Sequence, residues 1–263
     1  MDYEYLLVEQ KQGVGYVTLN RPKQYGSLNA AACKELTDVL TLWKDNPEVK
    51  VIVLAGTGRA FCTGMEMKPE LFNTVEMPLD LGKVLEKHFN PILKLITEMP
   101  KIIICSVNGI AAGIGASLPL LADITIAGKS AAFAQIFSKI GLIPDGGITW
   151  YLPRLIGYAK AKALMLTAEK ISADEAERLG MIYKVVEDDE LKNEVEKFAT
   201  HLAKQATVSL ALIKKAMQVT MQNDFTEQLR VEQELQCIAG QTEDFFEGAR
   251  AFMMKDEPNF KGR

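Results

Sequence analysis

Between Lys101 and Asp123 lie 21 consecutive residues, Ile102–Ala122, without a single charge. The length is nominally enough to cross a bilayer as one helix. The order of residues argues against that. A β-branched run, Ile102-Ile103-Ile104, meets Asn108-Gly109, after which come Gly113, Gly115 and a late Pro119. Asn-Gly punctuates chain direction, and the small-residue segment beyond it has helical length. The stretch reads as a buried strand, a tight turn and a buried helix. A strand apolar on both faces belongs to a parallel sheet covered on both sides.

The rest of the composition fits such a fold. Of 263 residues, 48% are hydrophobic and 24% charged, which excludes a disordered, collagen-like or disulfide-scaffold chain. Thirty Lys and Arg against 34 Asp and Glu give a net charge of −4, so there is no global basic field for nucleic acid or an acidic bilayer. Cys33, Cys62, Cys105 and Cys237 form no CxxC pair and have no companion histidine cluster. They read as reduced thiols, with no metal site. Met1-Asp-Tyr-Glu-Tyr5 shows neither an apolar h-region nor an Arg-rich leader, so the expected location is cytoplasmic.

Along the chain, Leu6–Gln10 and Gly15–Asn20 read as strands of a hairpin turning at Lys11-Gln12-Gly13, the second strand ended by Asn20-Arg21-Pro22. Asn29 is positioned to cap a helix running to Lys44 with Leu36, Leu40 and Trp43 on its apolar face. Val49–Ala55 is a strand, Lys68–Leu79 a loose segment suited to a flap, and Leu81–Met99 a helix. Strands follow at Ile124–Ala127 and near Ala132–Ala134. Ser172-Ala-Asp-Glu175 is a capping box for a helix ending at Gly180. Tyr183–Val186 is a last strand, followed by helices over Leu191–Gln205, Ser209–Met221, Glu227–Ala239 and Glu243–Met253. The division is therefore an α/β core over residues 1–186 and a helical region over 187–263, the latter suited to packing against another subunit.

Three segments carry candidate chemistry. Gly58-Arg-Ala-Phe-Cys-Thr-Gly64-Met65-Glu66-Met67 follows a strand, and Asn108-Gly109-Ile-Ala-Ala-Gly113-Ile114-Gly115 joins a strand to a helix. Glycines in such turns either serve tight geometry alone or let backbone amides approach a ligand's oxyanion. In the third, Gly141-Leu-Ile-Pro-Asp145-Gly146-Gly147, Asp145 is either a helix N-cap or a partly desolvated carboxylate with a raised pKa, fit for a general base. Competing chemistries find little support. There is no GxxxxGK[ST], GxSxG or HExxH, and Gly113-x-Gly115 lacks a third glycine. His201 falls on an amphipathic helix, and Cys62 has no nearby base and reads as a structural thiol.

Together, Asn20-Arg-Pro22, Gly56–Glu66, Val107–Gly115, Ala122-Asp-Ile124, Gly141–Gly147, Ser172–Ala176 and Glu247–Phe252 resemble the crotonase (enoyl-CoA hydratase/isomerase) superfamily in order and spacing. The resemblance spans essentially the whole chain. It implies a spiral of ββα units with a C-terminal helical region that forms trimers, often stacked as hexamers. It implies an acyl-CoA thioester as substrate, its coenzyme A part of the substrate with no further cofactor. The positions matching the two backbone donors of the oxyanion hole are Met65 and Ile114. Lys23, Tyr25, Glu66, Met67 and Gly113 fall at substrate-binding positions, Lys23 and Tyr25 where the family builds part of its CoA adenine and phosphate site.

The hydratases of the family use two glutamates, and the matching positions here are Ser117 and Phe137. Hydration needs one group to activate water and another to deliver a proton, so it is disfavoured. Asp145 stands where the family's isomerases carry a single acid. Phe137-Ser-Lys-x-Gly-Leu-Ile-Pro-Asp145 is the pattern of the isomerases of phenylacetate degradation that rearrange ring-epoxide acyl-CoA thioesters. Gly26, Glu66 and Ile148 depart from the usual Asn, Asp and Thr. The expected activity is isomerisation, of a 3-enoyl-CoA to a 2-enoyl-CoA or of a ring-epoxide acyl-CoA, through a thioester enolate with Asp145 as acid/base. The alternatives are an enoyl-CoA hydratase and a non-catalytic acyl-CoA-binding protein.

Overall fold

Gln12 and Gly13 both take positive φ, 52° and 77°, the backbone twist that a two-residue hairpin requires. They fold strand β1 (Leu6–Lys11) antiparallel onto β2 (Val14–Leu19). The chain is described here by a computed structural model covering residues 3–67 and 79–263. The segment Lys68–Leu79, expected to be a flap, falls almost wholly outside the described residues.

From β2 onward the main sheet is parallel. β3 (Val51–Gly56), β5 (Ile102–Val107), β7 (Ile124–Gly128) and β10 (Lys184–Val186) follow in the order β1-β2-β3-β5-β7-β10. A second sheet runs β4 (Ala60–Cys62), β6 (Ile110–Ala112), β8 (Ala132–Ala134) and β9 (Lys170–Ser172). Its first three strands are parallel and the last antiparallel. Each ββ unit therefore splits between the layers: β3 and β4, β5 and β6, β7 and β8 each place one strand per sheet. This is the ββα spiral.

Helix α1 (Ala30–Lys44) starts where the Asn29 side chain accepts the Ala32 amide, and buries Leu36, Leu40 and Trp43 as its periodicity predicts. The helical stretch expected over Leu81–Met99 divides into α2 (Leu81–Val84), a π-helical turn at Leu85–Phe89, and α3 (Asn90–Glu98). Pro91 has no amide to give to the preceding turn, and the Asn90 amide reaches five residues back to Leu85 O. The uncharged run becomes β5, β6 and α4 (Ile114–Leu121). No helix among the described residues is long and apolar enough to cross a membrane.

Two helices follow Gly147 where the sequence indicated one: α5 (Ile148–Ile156) and α6 (Tyr158–Thr167), broken at Gly157. In α7 (Ala173–Arg178) only half of the capping box forms. Ser172 Oγ accepts the Glu175 amide, but the Glu175 carboxylate turns to Arg178.

The C-terminal helices are α8 (Leu191–Ala203), α9 (Thr207–Thr220), α10 (Phe225–Ala239) and α11 (Glu243–Met254). One face of the main sheet carries Leu19, Ile52, Leu54 and Ile103 under α1, α3 and α4. The other carries Val14, Val51, Val53, Ile102 and Ile104, and α8 covers it with Leu191, Val195, Ala199 and Ala203. A boundary at 186/187 thus cuts through a shared core, because α8 belongs to the sheet it seals. The exposed apolar side chains concentrate beyond it, among them Ile213, Met217, Phe246 and Phe252.

Candidate active site

Ile114 opens α4, so its amide is one of the N-terminal donors that have no partner inside a helix. Gly113 precedes it with φ 55° and ψ −136°, a conformation open to glycine. The next residue but one, Gly115, lies directly against the neighbouring loop: a Cβ there would stand 2.3 Å from Cys62 O. The two glycine loops are therefore seated against each other, backbone on backbone.

Met65 enters through a single parallel bridge to Leu28. Gly64 O accepts the Leu28 amide at 2.7 Å, and the Glu66 amide donates to Leu28 O at 2.9 Å. Extended backbone alternates its hydrogen-bonding sides, so the Met65 amide points away from Leu28. Among the described residues neither the Met65 nor the Ile114 amide has a partner in the fold.

Both residues line one cavity with Thr63, Gly64, Met67, Gly113 and Asp145. The remaining described wall is apolar: Leu81, Val84, Leu85 and Phe89 from the π-turn region, and Ile136, Phe137, Ile140 and Leu142 from the segment before Asp145. Sequence periodicity gave no sign that the π turn would face this site. Phe137 sits on a short 3-10 turn, Ile136–Ile140, its ring 3.8 Å from where a Gly113 Cβ would be. No second carboxylate lines the cavity among the described residues.

Asp145 is half-buried, and its Oδ1 is fully enclosed without a hydrogen-bond partner. Desolvation raises its pKa to about 6. The N-cap reading does not hold, since α5 is preceded by Gly147 at the cap, without side-chain capping. The Asp145 main-chain oxygen instead accepts the Ile148 amide and the Ser117 hydroxyl, at 3.4 and 3.3 Å. Nothing in the local sequence signals the contact with Ser117.

The other expected site residues divide. Met67 and Gly113 line the cavity. Glu66 does not: its carboxylate pairs at 2.8 Å with Arg21, both side chains about nine-tenths buried, and Arg21 also donates to Ser27 O. The expected contact with substrate gives way to an internal ion pair that ties the Asn20-Arg-Pro22 turn to the Met65 loop. Lys23 and Tyr25 also lie outside the cavity. Lys23 is exposed on the short 3-10 turn Pro22–Gln24, and Tyr25 is left-handed at φ 53°. Tyr25 O accepts the amide and hydroxyl of the cavity residue Thr63, which sets this turn at the rim, and the Arg59 guanidinium lies 5.8 Å from the Tyr25 ring.

Cys33, Cys62 and Cys105 are buried, their thiols raised by desolvation, Cys33 and Cys62 to about 12, so Cys62 is no thiolate nucleophile. Among the described residues no group of His, Cys, Asp and Glu is placed to hold a metal ion.

Residues 9–263 match the family described as enoyl-CoA hydratase/isomerase. The chain belongs to that family of enzymes, for which an acyl-CoA thioester is the fitting substrate class. It is 40% identical over 260 residues to the 1,2-epoxyphenylacetyl-CoA isomerase of Escherichia coli (strain K12), covering 99% of each chain. It is 42% identical over its full length, and the relative's, to a probable enoyl-CoA hydratase of Rhodobacter capsulatus. The crystal structure of an enoyl-CoA hydratase from Bacillus anthracis superposes with a TM-score of 0.92 at 30% identity, covering 99% of this chain and all of that one.

Proposed function

We propose that the protein isomerises an acyl-CoA thioester with Asp145 as its single acid/base. The observation that carries this reading is the Asp145 carboxyl itself. Its Oδ1 is enclosed without a hydrogen-bond partner, and burial shifts the group up to about 6 in the cavity that Met65 and Ile114 also line. A carboxylate with a pKa near the working pH can both take and return a proton. The thioester oxygen accepts the Met65 and Ile114 amides, which stabilise the enolate formed when Asp145 removes a proton from C2. Returning that proton to C4 turns a 3-enoyl into a 2-enoyl thioester. The name of the E. coli relative supports a ring-epoxide acyl group as the second substrate form.

Hydration is the rival reaction, and the hydratase names among the relatives keep it in view. It needs a second acid or base to deliver or activate water, and Asp145 is the one carboxylate lining the cavity among the described residues. Lys23 and Tyr25, at the rim, serve the CoA moiety. The exposed Ile213, Met217, Phe246 and Phe252 are the surface through which copies associate, as trimers or stacked hexamers.

The test follows both reactions in one assay of wild type and Asp145→Asn, with 3-enoyl-CoA, 2-enoyl-CoA and an aromatic ring-epoxide thioester. Isomerisation lost in Asp145→Asn supports the reading. Hydration faster than isomerisation in wild type, or equal isomerisation in the two proteins, refutes it.

A further inference from the structure

The loop that carries Asp145 is anchored on the helix that carries the Ile114 amide. Ser117, fully buried, donates its hydroxyl hydrogen to Asp145 O at 3.3 Å. One residue on, Gly146 takes φ 67°, and a Cβ there would stand 2.8 Å from Ser117 Oγ and 3.1 Å from Ile114 Cγ1. The loop is seated directly on the first turn of α4, which leaves no room for a longer side chain at 117 unless the loop moves. Ser117 follows Ile114 by one helical turn, so a single rigid element holds both the amide and the main chain beneath the carboxylate. Ser117 does not line the cavity, and its hydroxyl is spent on the loop.

We infer that Ser117 is a positioning residue: its hydroxyl ties the Asp145 main chain to α4 and so fixes the carboxylate relative to the Ile114 amide. The inference rests on the reading of Asp145 as acid/base. Without the hydroxyl, Asp145 O keeps the Ile148 amide at 3.4 Å, so the tether is lost while the fold remains. A misplacement of about 1 Å in such a constellation costs on the order of a hundredfold in rate.

Ser117→Ala and Ser117→Cys are compared with wild type and Asp145→Asn by melting temperature, by kcat and KM on 3-enoyl-CoA, and by 13C titration of the Asp145 carboxyl, assigned by its absence in Asp145→Asn. Ser117→Ala is expected to fold, to lose about tenfold to a hundredfold in kcat with KM changed less than about twofold, and to move the Asp145 midpoint down from about 6. Ser117→Cys, similar in size and a weaker donor, falls between. Unchanged kcat and midpoint in folded Ser117→Ala overturn the positioning role, while an inactive Asp145→Asn leaves the acid/base reading intact. A fully active Asp145→Asn overturns that reading, and the titration then decides the tether by itself.

Discussion

Lys214 Nζ lies 2.8 Å from Asp123 Oδ2, and both side chains are largely buried where α9 meets the end of α4. The same ammonium donates to Ile96 O and Lys101 O, and the same carboxylate oxygen accepts the Ile103 amide. A charged pair thus joins the helical region to the strand that leads into the second glycine loop. Removing one member leaves the other charged and buried, at a cost of about 3–5 kcal/mol. Lys214→Met should lower stability to chemical denaturation by that amount. Asp123→Asn/Lys214→Met should recover part of it, because the Asn side chain can still accept the Ile103 amide.

Asp145 should set the pH dependence of both activity and stability. Its carboxyl is raised from 3.8 to about 6 by burial, so kcat/KM should rise with pH on a limb centred near 6. For stability, a raised pKa means the folded state holds the proton longer than the unfolded chain, and ionisation costs folding free energy. Asp145→Asn should therefore melt like wild type below pH 4. Its advantage should grow between pH 4 and 6 and then level off. Thermal melts across pH 3.5–8 check the sign, and an advantage that shrinks as pH rises would contradict it.

Gly115→Ala should separate the two glycine loops. Its Cβ would stand 2.3 Å from Cys62 O, backbone that cannot rotate aside. Overpacking of this kind costs about 1–3 kcal/mol. Because Met65 and Ile114 lie on opposite sides of the contact, loss of one donor's alignment should lower kcat by about a hundredfold or more. Single-turnover kinetics on folded protein separate the two effects.

Asp244 is buried, and its carboxylate accepts the Lys261 and Gly262 amides at 2.6 and 2.7 Å. Hydrogen bonds to a charged group contribute about 1.5–3 kcal/mol each. Asp244→Ala should release the segment after α11, seen as faster proteolysis beyond Lys255 with kcat little changed.

Much of this organisation is legible in the sequence, because it rests on local rules. Asn29 caps α1 three residues from the Ala32 amide that it accepts, Gln12-Gly13 turns the hairpin, and the uncharged Ile102–Ala122 run declares a buried strand and helix. The second sheet is harder to read, since β4, β6 and β9 are three residues each and too short for any periodicity. The split of Leu81–Met99 needs the Asn90-to-Leu85 bond, and the partition of α5 from α6 needs Gly157 at positive φ. At the site, the two glycine loops and Asp145 stand out by residue type. The Arg21–Glu66 pair and the Ser117–Asp145 contact join residues 45 and 28 apart, and only the folded chain brings them together.

Because α8 seals the second face of the main sheet, the helical region is not a detachable module. A chain ending at Val186 would leave Val14, Val51, Val53, Ile102 and Ile104 open to water along the parallel strands that lead to the glycine loops. Grafts and truncations that respect the chemistry must carry the chain through α8 and on through α9, because Lys214 there holds the buried Asp123 carboxylate at the foot of the same strands.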